Sequence, residues 1–430
     1  MANNNKHTGP NVPALRFPEF SGEWEMFRVS DFIEFFSTNS LSWDQLEYRG
    51  AGLLNLHYGM IHNGLPIQVD ASKNALPSIK EDYYPKKYTL CKEGDIAFAD
   101  ASEDTNDVGK AIEFNNCAGK SIVCGLHTIH GRDRLGLTYT GFKGYLFSSK
   151  VYHDQIKSIA QGTKVFSIKA SNFDEVILGL PKKAEQKKIS SLLMAIDDRI
   201  LTQSKIIEEL TALRSALYDS MFCSPEQEMP KFRIQSFSGK WQLYQLNEIC
   251  SRKSIKNKDN LYSRVLTIAA QHGLVDQESF FKKRIASENL ESYLCLEKGD
   301  FAYNKSYSSD YPWGAVKRLS NFDKGIISPL YICFTPKPEV VDPDYLAHYF
   351  ESTKWHSGIS EISGEGARNH GLLNMSVIDY FNTRHRIPGL DEQKAIARRL
   401  NAIAHKLQTE QEYLELLNRQ KDCFLKQMFI

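Results

Sequence analysis

Cys124, His127 and His130 are spaced like metal ligands, a thiol and two imidazoles of the kind that hold zinc. On a strand, however, successive side chains alternate between faces, so the three would not all face one way. Gly119-Lys120-Ser121 has the tail of a phosphate-binding loop, but its first glycine would have to stand at Phe114, and the segment leads into a strand rather than a helix. Asp342-Pro343-Asp344-Tyr345 is one residue away from a motif that positions an amino group for methyl transfer, with Asp344 where a second proline belongs. No glycine-rich strand-turn-helix lies upstream to hold a methyl donor, so the start of a helix is the better reading. No nucleophile constellation is found either. The expectation is a chain that performs no chemistry itself.

Binding remains. Arg252-Lys253 to Lys258, Lys282-Lys283-Arg284 and Arg384-His385-Arg386 are candidate phosphate contacts, against the plain alternative of a solvated surface. The net charge is +1, with residues 13–180 at about −4 and 230–387 at about +4. Neither segment is a polycation, which argues against a protein that clamps nucleic acid alone. Base reading stays possible if a partner supplies much of the phosphate binding.

The elements that would position such groups occur twice. Pro181-Lys182-Lys183-Ala184-Glu185-Gln186-Lys187-Lys188-Ile189 and Pro388-Gly389-Leu390-Asp391-Glu392-Gln393-Lys394-Ala395-Ile396 open two long amphipathic helices at an offset of 207. Ile189, Leu193, Ile196, Ile200, Ile207, Leu210, Leu217 and Met221 are answered by Ile396, Leu400, Ile403, Leu407, Leu414, Leu417, Phe424 and Met428. Polar residues interrupt both seams at matching places, Gln203 with Glu410 and Arg214 with Lys421. A seam of period 3.5 needs a partner helix, and polar seam residues fix its register. The segment from Pro13 to Trp24 likewise matches that from Pro230 to Trp241, and Lys92-Glu93-Gly94-Asp95-Ile96-Ala97-Phe98 matches Glu297-Lys298-Gly299-Asp300-Phe301-Ala302-Tyr303. Between these anchors the halves share little, so a common frame carries different filling. Trp24 and Trp241 belong to the frame and read as core anchors rather than base stackers.

The chain of 430 residues, 42% hydrophobic, can bury two cores of ordinary domain size. No apolar run approaches the ~18 residues of a membrane span, and the start has no signal-peptide core, so a cytoplasmic protein that does not enter a membrane is expected. The eight cysteines are scattered without a Cys-x-x-Cys pair, which suggests buried reduced thiols. Lys120–Cys124, Gly325–Ile327 and Leu330–Phe334 read as strands, Asp344–Phe350 as a short helix, and Gly94-Asp95 and Gly299-Asp300 as tight turns. Pro225 interrupts helical continuation after the first long helix. The expected division is a flexible tail over 1–12, globular domains over 13–180 and 230–387, helices over 181–222 and 388–430, and a linker over 223–229.

The repeated opening, the Glu-Gln-Lys-led heptad helices and the duplicated order resemble the specificity subunit of type I restriction-modification enzymes over essentially the whole chain. Inner segments are also similar to that family's target recognition domains: Leu56–His62, Asp95–Asp104, Ala270–Leu274 and Gly299–Tyr307. Met60 departs from the Asp that relatives often carry after the glycine. The resemblance implies an α+β fold with two target recognition domains in tandem, each followed by a long helix. The helices would pack as an antiparallel coiled coil with pseudo-twofold symmetry. Each domain would read one half of a split site in double-stranded DNA. The implied partners are two methyltransferase subunits and restriction/translocase subunits. S-adenosylmethionine, ATP and Mg²⁺ would belong to those partners, with no cofactor and no metal in this chain.

Base reading needs side chains that present donors and acceptors to the major groove from loops on a firm sheet. The polar groups beside glycines at equivalent places are His57, Tyr58, His62, Asp100, Ser102 and Glu103 in the first unit. In the second they are Gln271, His272, Asn304, Lys305, Ser306 and Tyr307. The competing reading makes these glycine loops hairpin turns whose polar residues cap backbone groups.

Overall fold

The computed structural model describes residues 10–48, 52–283, 289–363 and 371–430. It divides into two compact units, one built from residues up to Ser204 with Glu412–Ile430, the other from Lys205–Gln411. Each is α+β: a globular domain on paired sheets, with lengths of both long helices packed against it.

In the first unit a five-stranded sheet runs in the order Ile33–Phe36, Thr128–Asp133, Ile96–Ala99, Ala111–Asn116, Gln68–Asp70. A four-stranded sheet orders Ile122–Cys124, Leu54–Leu56, Ser78–Ile79, Leu46–Glu47. The second unit keeps the first four positions of the larger sheet as Cys250–Arg252, Ile332–Pro336, Phe301–Asn304, Ala315–Arg318. Its other sheet orders Gly273–Asp276, Val265–Ala269, Lys324–Ile327, Leu294–Glu297. The fully buried strands are near-continuous apolar runs, such as Ile96–Ala99 and the first three residues of Phe301–Asn304. Gly94 and Gly299 turn into these strands with φ of +82° and +97°, a conformation that favours glycine. Asp95 and Asp300 close the two turns by accepting the backbone N–H groups of Lys92 and Glu297.

The shared frame has a physical purpose in each unit. Arg16 forks onto Glu185 while the Trp24 indole donates to the same carboxylate at 3.3 Å, and Arg233, Glu392 and Trp241 repeat the arrangement. Gln186 accepts the Tyr139 N–H and donates to the carbonyls of Pro181 and Leu137. Gln393 does the same with Asp342, Pro388 and Val340. Both tryptophans are 2% exposed, in the cores as expected.

The first long helix spans Lys183–Met221 and the second Leu390–Gln427. In the first unit Asp197 pairs with Lys421 at 2.6 Å and Gly179 donates to the carbonyl of Ile430, so the two helices pair antiparallel. Seam residues Leu193, Ile196, Leu400, Leu407 and Leu417 are buried, and polar Gln203 is 5% exposed. Met221, Phe222 and Cys223 enter the core of the second unit, whereas Met428 and Phe429 enter the core of the first. Among the described residues, no helix is long and apolar enough to cross a membrane.

Candidate nucleic-acid interface

In the first unit three loops leave the sheets at neighbouring points. Leu54–Leu56 and Ile122–Cys124 run parallel, so their chain exits lie side by side, and Thr128 faces Ala99 across an antiparallel pair. Backbone bonds tie the exits together: Gly125 to Leu56, Tyr58 to Leu126, and Asp100 to His127.

The side chains on these loops form a continuous cluster. His57 is 2% exposed and caps the short helix Tyr58–His62, its Nδ1 accepting the Gly59 N–H at 3.1 Å. Burial, then the nearby His127, hold its pKa below the usual imidazole value, so the ring is neutral at pH 7. The half-exposed Trp43 lies over it with ring centres 4.4 Å apart. Tyr58 meets His127 edge-on at 5.2 Å and His62 at 5.8 Å. His62 Nε2 lies 2.9 Å from the carbonyl of Ala101, which only accepts, so that nitrogen carries the proton. His127, at φ +53°, sets Nδ1 3.0 Å from Asp100 Oδ1. Ser102 Oγ accepts the Asp104 N–H, and Glu103 is exposed beside it.

The second unit builds its counterpart on the equivalent strands. Gln271 and His272 stand exposed in the tight turn between Val265–Ala269 and Gly273–Asp276. After Phe301–Asn304 the chain is pinned: Asn304 Oδ1 accepts the Ser306 N–H, the carbonyl of Lys305 accepts from Leu373, and Tyr307 donates to Gly371. The Tyr311 hydroxyl donates to the carbonyl of Ala270 at 3.2 Å and joins the two loops. Gly314, at φ +77°, leaves no room for a side chain, because a Cβ there would stand 2.1 Å from the carbonyl oxygen of Asn304.

Two copies of one frame, each with different polar groups at the same strand exits, agree with what sequence and fold comparison find. No family model matches the chain. It is 24% identical over 296 residues to the Type I restriction enzyme MjaVIII specificity subunit of Methanocaldococcus jannaschii, covering 64% of this chain and 67% of that one. To the Type I restriction enzyme EcoKI specificity subunit of Escherichia coli it is 23% identical over 293 residues, 62% of this chain and 59% of the relative. The solved S subunit of the type I restriction-modification system from M. genitalium superposes with a TM-score of 0.56 at 15% identity, covering 97% of this chain and 99% of that one. The chain is a relative of type I specificity subunits.

In this relative the structure brings His57, Tyr58, His62, Asp100 and Ser102 together, with Glu103 at their edge. Tyr311 ties the turn that carries Gln271 and His272 to the loop after Asn304, bonding to the carbonyl of Ala270 and accepting the Ser308 N–H. The capping alternative describes the bonds of His57, Ser102 and Asn304. Met60 is buried in an apolar cluster, packed under the loop rather than displayed on it. Trp43, His127 and Tyr311 are not among the base-contact candidates that the sequence offers, and His127 reads there only as one of three residues spaced like metal ligands. Trp43 was findable, being a tryptophan outside the repeated frame, but the backbone of His127 was not.

Other sequence candidates fall elsewhere. His127 turns away to Asp100, while Cys124 and His130 gather with Cys91, their ligating atoms all within 4.8 Å. Burial, then the neighbouring Cys124, pushes the Cys91 thiol well up, and His130 is bonded to Asp95 at 2.8 Å. Arg384-His385-Arg386 is not one basic surface, because strand alternation buries His385 and Arg386 donates to the carbonyls of Pro225 and Trp241. Lys253 is paired with Asp300 at 3.0 Å rather than free for phosphate. In Lys282-Lys283-Arg284, Arg284 lies outside the described residues. Gly119-Lys120-Ser121 feeds the strand Ile122–Cys124, with Lys120 Nζ donating to the carbonyl of Ala71. Asp342 caps the helix Pro343–Glu351, as its sequence suggested.

Proposed function

We propose that this chain is the non-catalytic, sequence-reading subunit of a type I restriction-modification complex, each globular unit reading one half of a bipartite site in double-stranded DNA. The observation that carries this is the pairing of an invariant frame, Arg16–Glu185 and Arg233–Glu392, with loops that differ wherever they leave equivalent strands. A frame kept constant presents alternative surfaces in the same orientation, which suits two readers joined to identical partners. The base-contact candidates are Tyr58, His62, Asp100, Ser102 and Glu103, and Gln271, His272, Asn304, Lys305, Ser306 and Tyr307, with His57 holding its loop. Two methyltransferase subunits dock on this scaffold and bring S-adenosylmethionine, and restriction/translocase subunits bring ATP and Mg²⁺. The near-neutral chain leaves much of the phosphate contact to those partners. The complex works in the cytoplasm.

The deciding experiment co-expresses the chain with a type I modification subunit and maps methylated adenines across the host genome. A bipartite motif is expected, and replacing residues 13–180 with the matching segment of a relative should change one half-site alone. Methyl transfer by the purified chain unaided would refute the reading, as would loss of both half-site sequences on that replacement.

A further inference from the structure

His127 holds a left-handed backbone conformation, φ +53°, that non-glycine residues rarely adopt. Such strain persists where surrounding structure enforces it and clusters at ligand-contacting positions. Here the enforcing contacts are the Asp100 carboxylate at Nδ1 and the edge of Tyr58, with Trp43 and His57 continuing the aromatic stack behind. A carboxylate oxygen accepts, so the contact selects the ring form with its proton on Nδ1, and in that tautomer Nε2 is an acceptor. Neither His127 Nε2 nor Asp100 Oδ2 has a hydrogen-bond partner among the described residues, and both side chains are solvent-accessible, 50% and 29% exposed. Two adjacent acceptors on a rigid support call for a donor.

We infer, resting on the reading of the chain as a DNA-recognition subunit, that His127 and Asp100 form a specificity-determining pair for one base of the first half-site. That base carries an exocyclic amino group. In the major groove only adenine N6 and cytosine N4 offer such donors, whereas guanine O6 and thymine O4 accept and would face the pair acceptor to acceptor. The pair therefore selects adenine or cytosine at its position and excludes guanine and thymine. Ser102 and Tyr58 remain for neighbouring positions.

The test uses the full chain co-expressed with a modification subunit, reading methylated adenines genome-wide for wild type, His127→Gly, Asp100→Asn and the double variant. His127→Gly suits the left-handed backbone, so it removes the side chain without straining the loop. Its expected result is a first half-site relaxed at one position by about tenfold or more in preference, with the second half-site unchanged. Asp100→Asn supplies an amide donor and should admit guanine or thymine at that same position. Thermal unfolding of each purified variant near the wild-type midpoint shows that altered reading does not come from a collapsed unit. An intact first half-site in both variants, or a wild-type position occupied by guanine or thymine throughout, overturns the pair. A wild-type methylome without any bipartite motif overturns the underlying reading itself.

Discussion

Arg16 donates from Nε and Nη2 to the two oxygens of Glu185 at 2.7 and 2.8 Å, a two-pronged ion pair between the opening of the first unit and the first turn of its helix. Arg233 and Glu392 repeat it at 2.8 and 2.7 Å. The carboxylates are almost wholly buried and the guanidinium groups stand at the rim, 15% and 14% exposed. Each glutamate also lies at a helix N-terminus, where a negative charge is favoured.

Arg16→Ala should therefore destabilise the first unit by about 3 kcal/mol, because it leaves a buried charge without its partner; the partial exposure of Arg16 keeps the loss at the low end of the range for buried pairs. Urea unfolding followed by near-ultraviolet circular dichroism measures this. Arg16→Lys should recover only part, since an ammonium cannot fork onto both oxygens.

The Gln393 side chain joins the chain ahead of its helix to Asp342 and Val340 through three bonds made in a buried setting. Gln393→Leu should cost about 2–3 kcal/mol from backbone groups left unsatisfied. Gln393→Glu should be no better near neutral pH, as its second oxygen would face the carbonyls of Pro388 and Val340. Equal stability of Gln393→Glu and wild type at pH 7 would show that these contacts are not made.

His385 is buried between the Tyr349 hydroxyl and Thr383, and burial pushes its pKa down to about 3. An unfolded histidine binds a proton near pH 6.5. The unfolded chain therefore holds more protons between those values, so this contribution is complete above pH 6.5 and is lost as the pH falls towards 3. The expected slope is up to about 1.4 kcal/mol per pH unit, and His385→Gln should flatten it. Urea midpoints from pH 7 to pH 5 give the comparison.

At 1.5 Å per residue the 39-residue helix Lys183–Met221 is about 58 Å long. Four residues added to each long helix, near Gln203 and Glu410, lengthen each by about 6 Å, equivalent to one or two base pairs. Four is close to one turn, so the seam should survive as a stutter. The half-sites should keep their sequences while the nonspecific spacer lengthens by one or two base pairs. Genome-wide mapping of methylated adenines decides it, and an unchanged spacer with full activity would remove the helices as the ruler.

Replacing Gly314 by Ala should disturb only the second unit. The added methyl would meet the carbonyl oxygen of Asn304, so the loop Asn304–Tyr307 must move. A relaxed second half-site beside an intact first one is expected from the same methylation map.

The frame was legible because its physics is local or periodic. The seam, Gly94 and Gly299, and the paired Glu-Gln helix starts recur at fixed spacing, and each has one structural solution. The joint purpose of Arg16 and Glu185 was hidden, because two repeated residues far apart in sequence do not announce that they touch. The site was legible as segments rather than as a surface. His57 looked polar and available, yet a short helix needed its ring as a cap. His127 reaches Asp100 because the antiparallel pairing of Thr128 with Ala99 sets the residue before one strand beside the residue after the other, a relation set by sheet pairing. The basic triplet Arg384-His385-Arg386 misled because strand alternation separates neighbours in sequence.

Each unit takes its last stretch of helix from the other half of the chain: Met428 and Phe429 complete the first core, Met221 and Phe222 the second. Leu15 donates to the carbonyl of Gln427, so the beginning of the described chain and its final turn are neighbours. The two repeats thus exchange their helix ends, each end packing into the core of the other repeat. A chain restarted between Cys223 and Pro230, with its old ends spliced, would keep both cores intact. A single repeat made alone would lack its closing helix end and could recover it only by exchanging that end with another copy of itself.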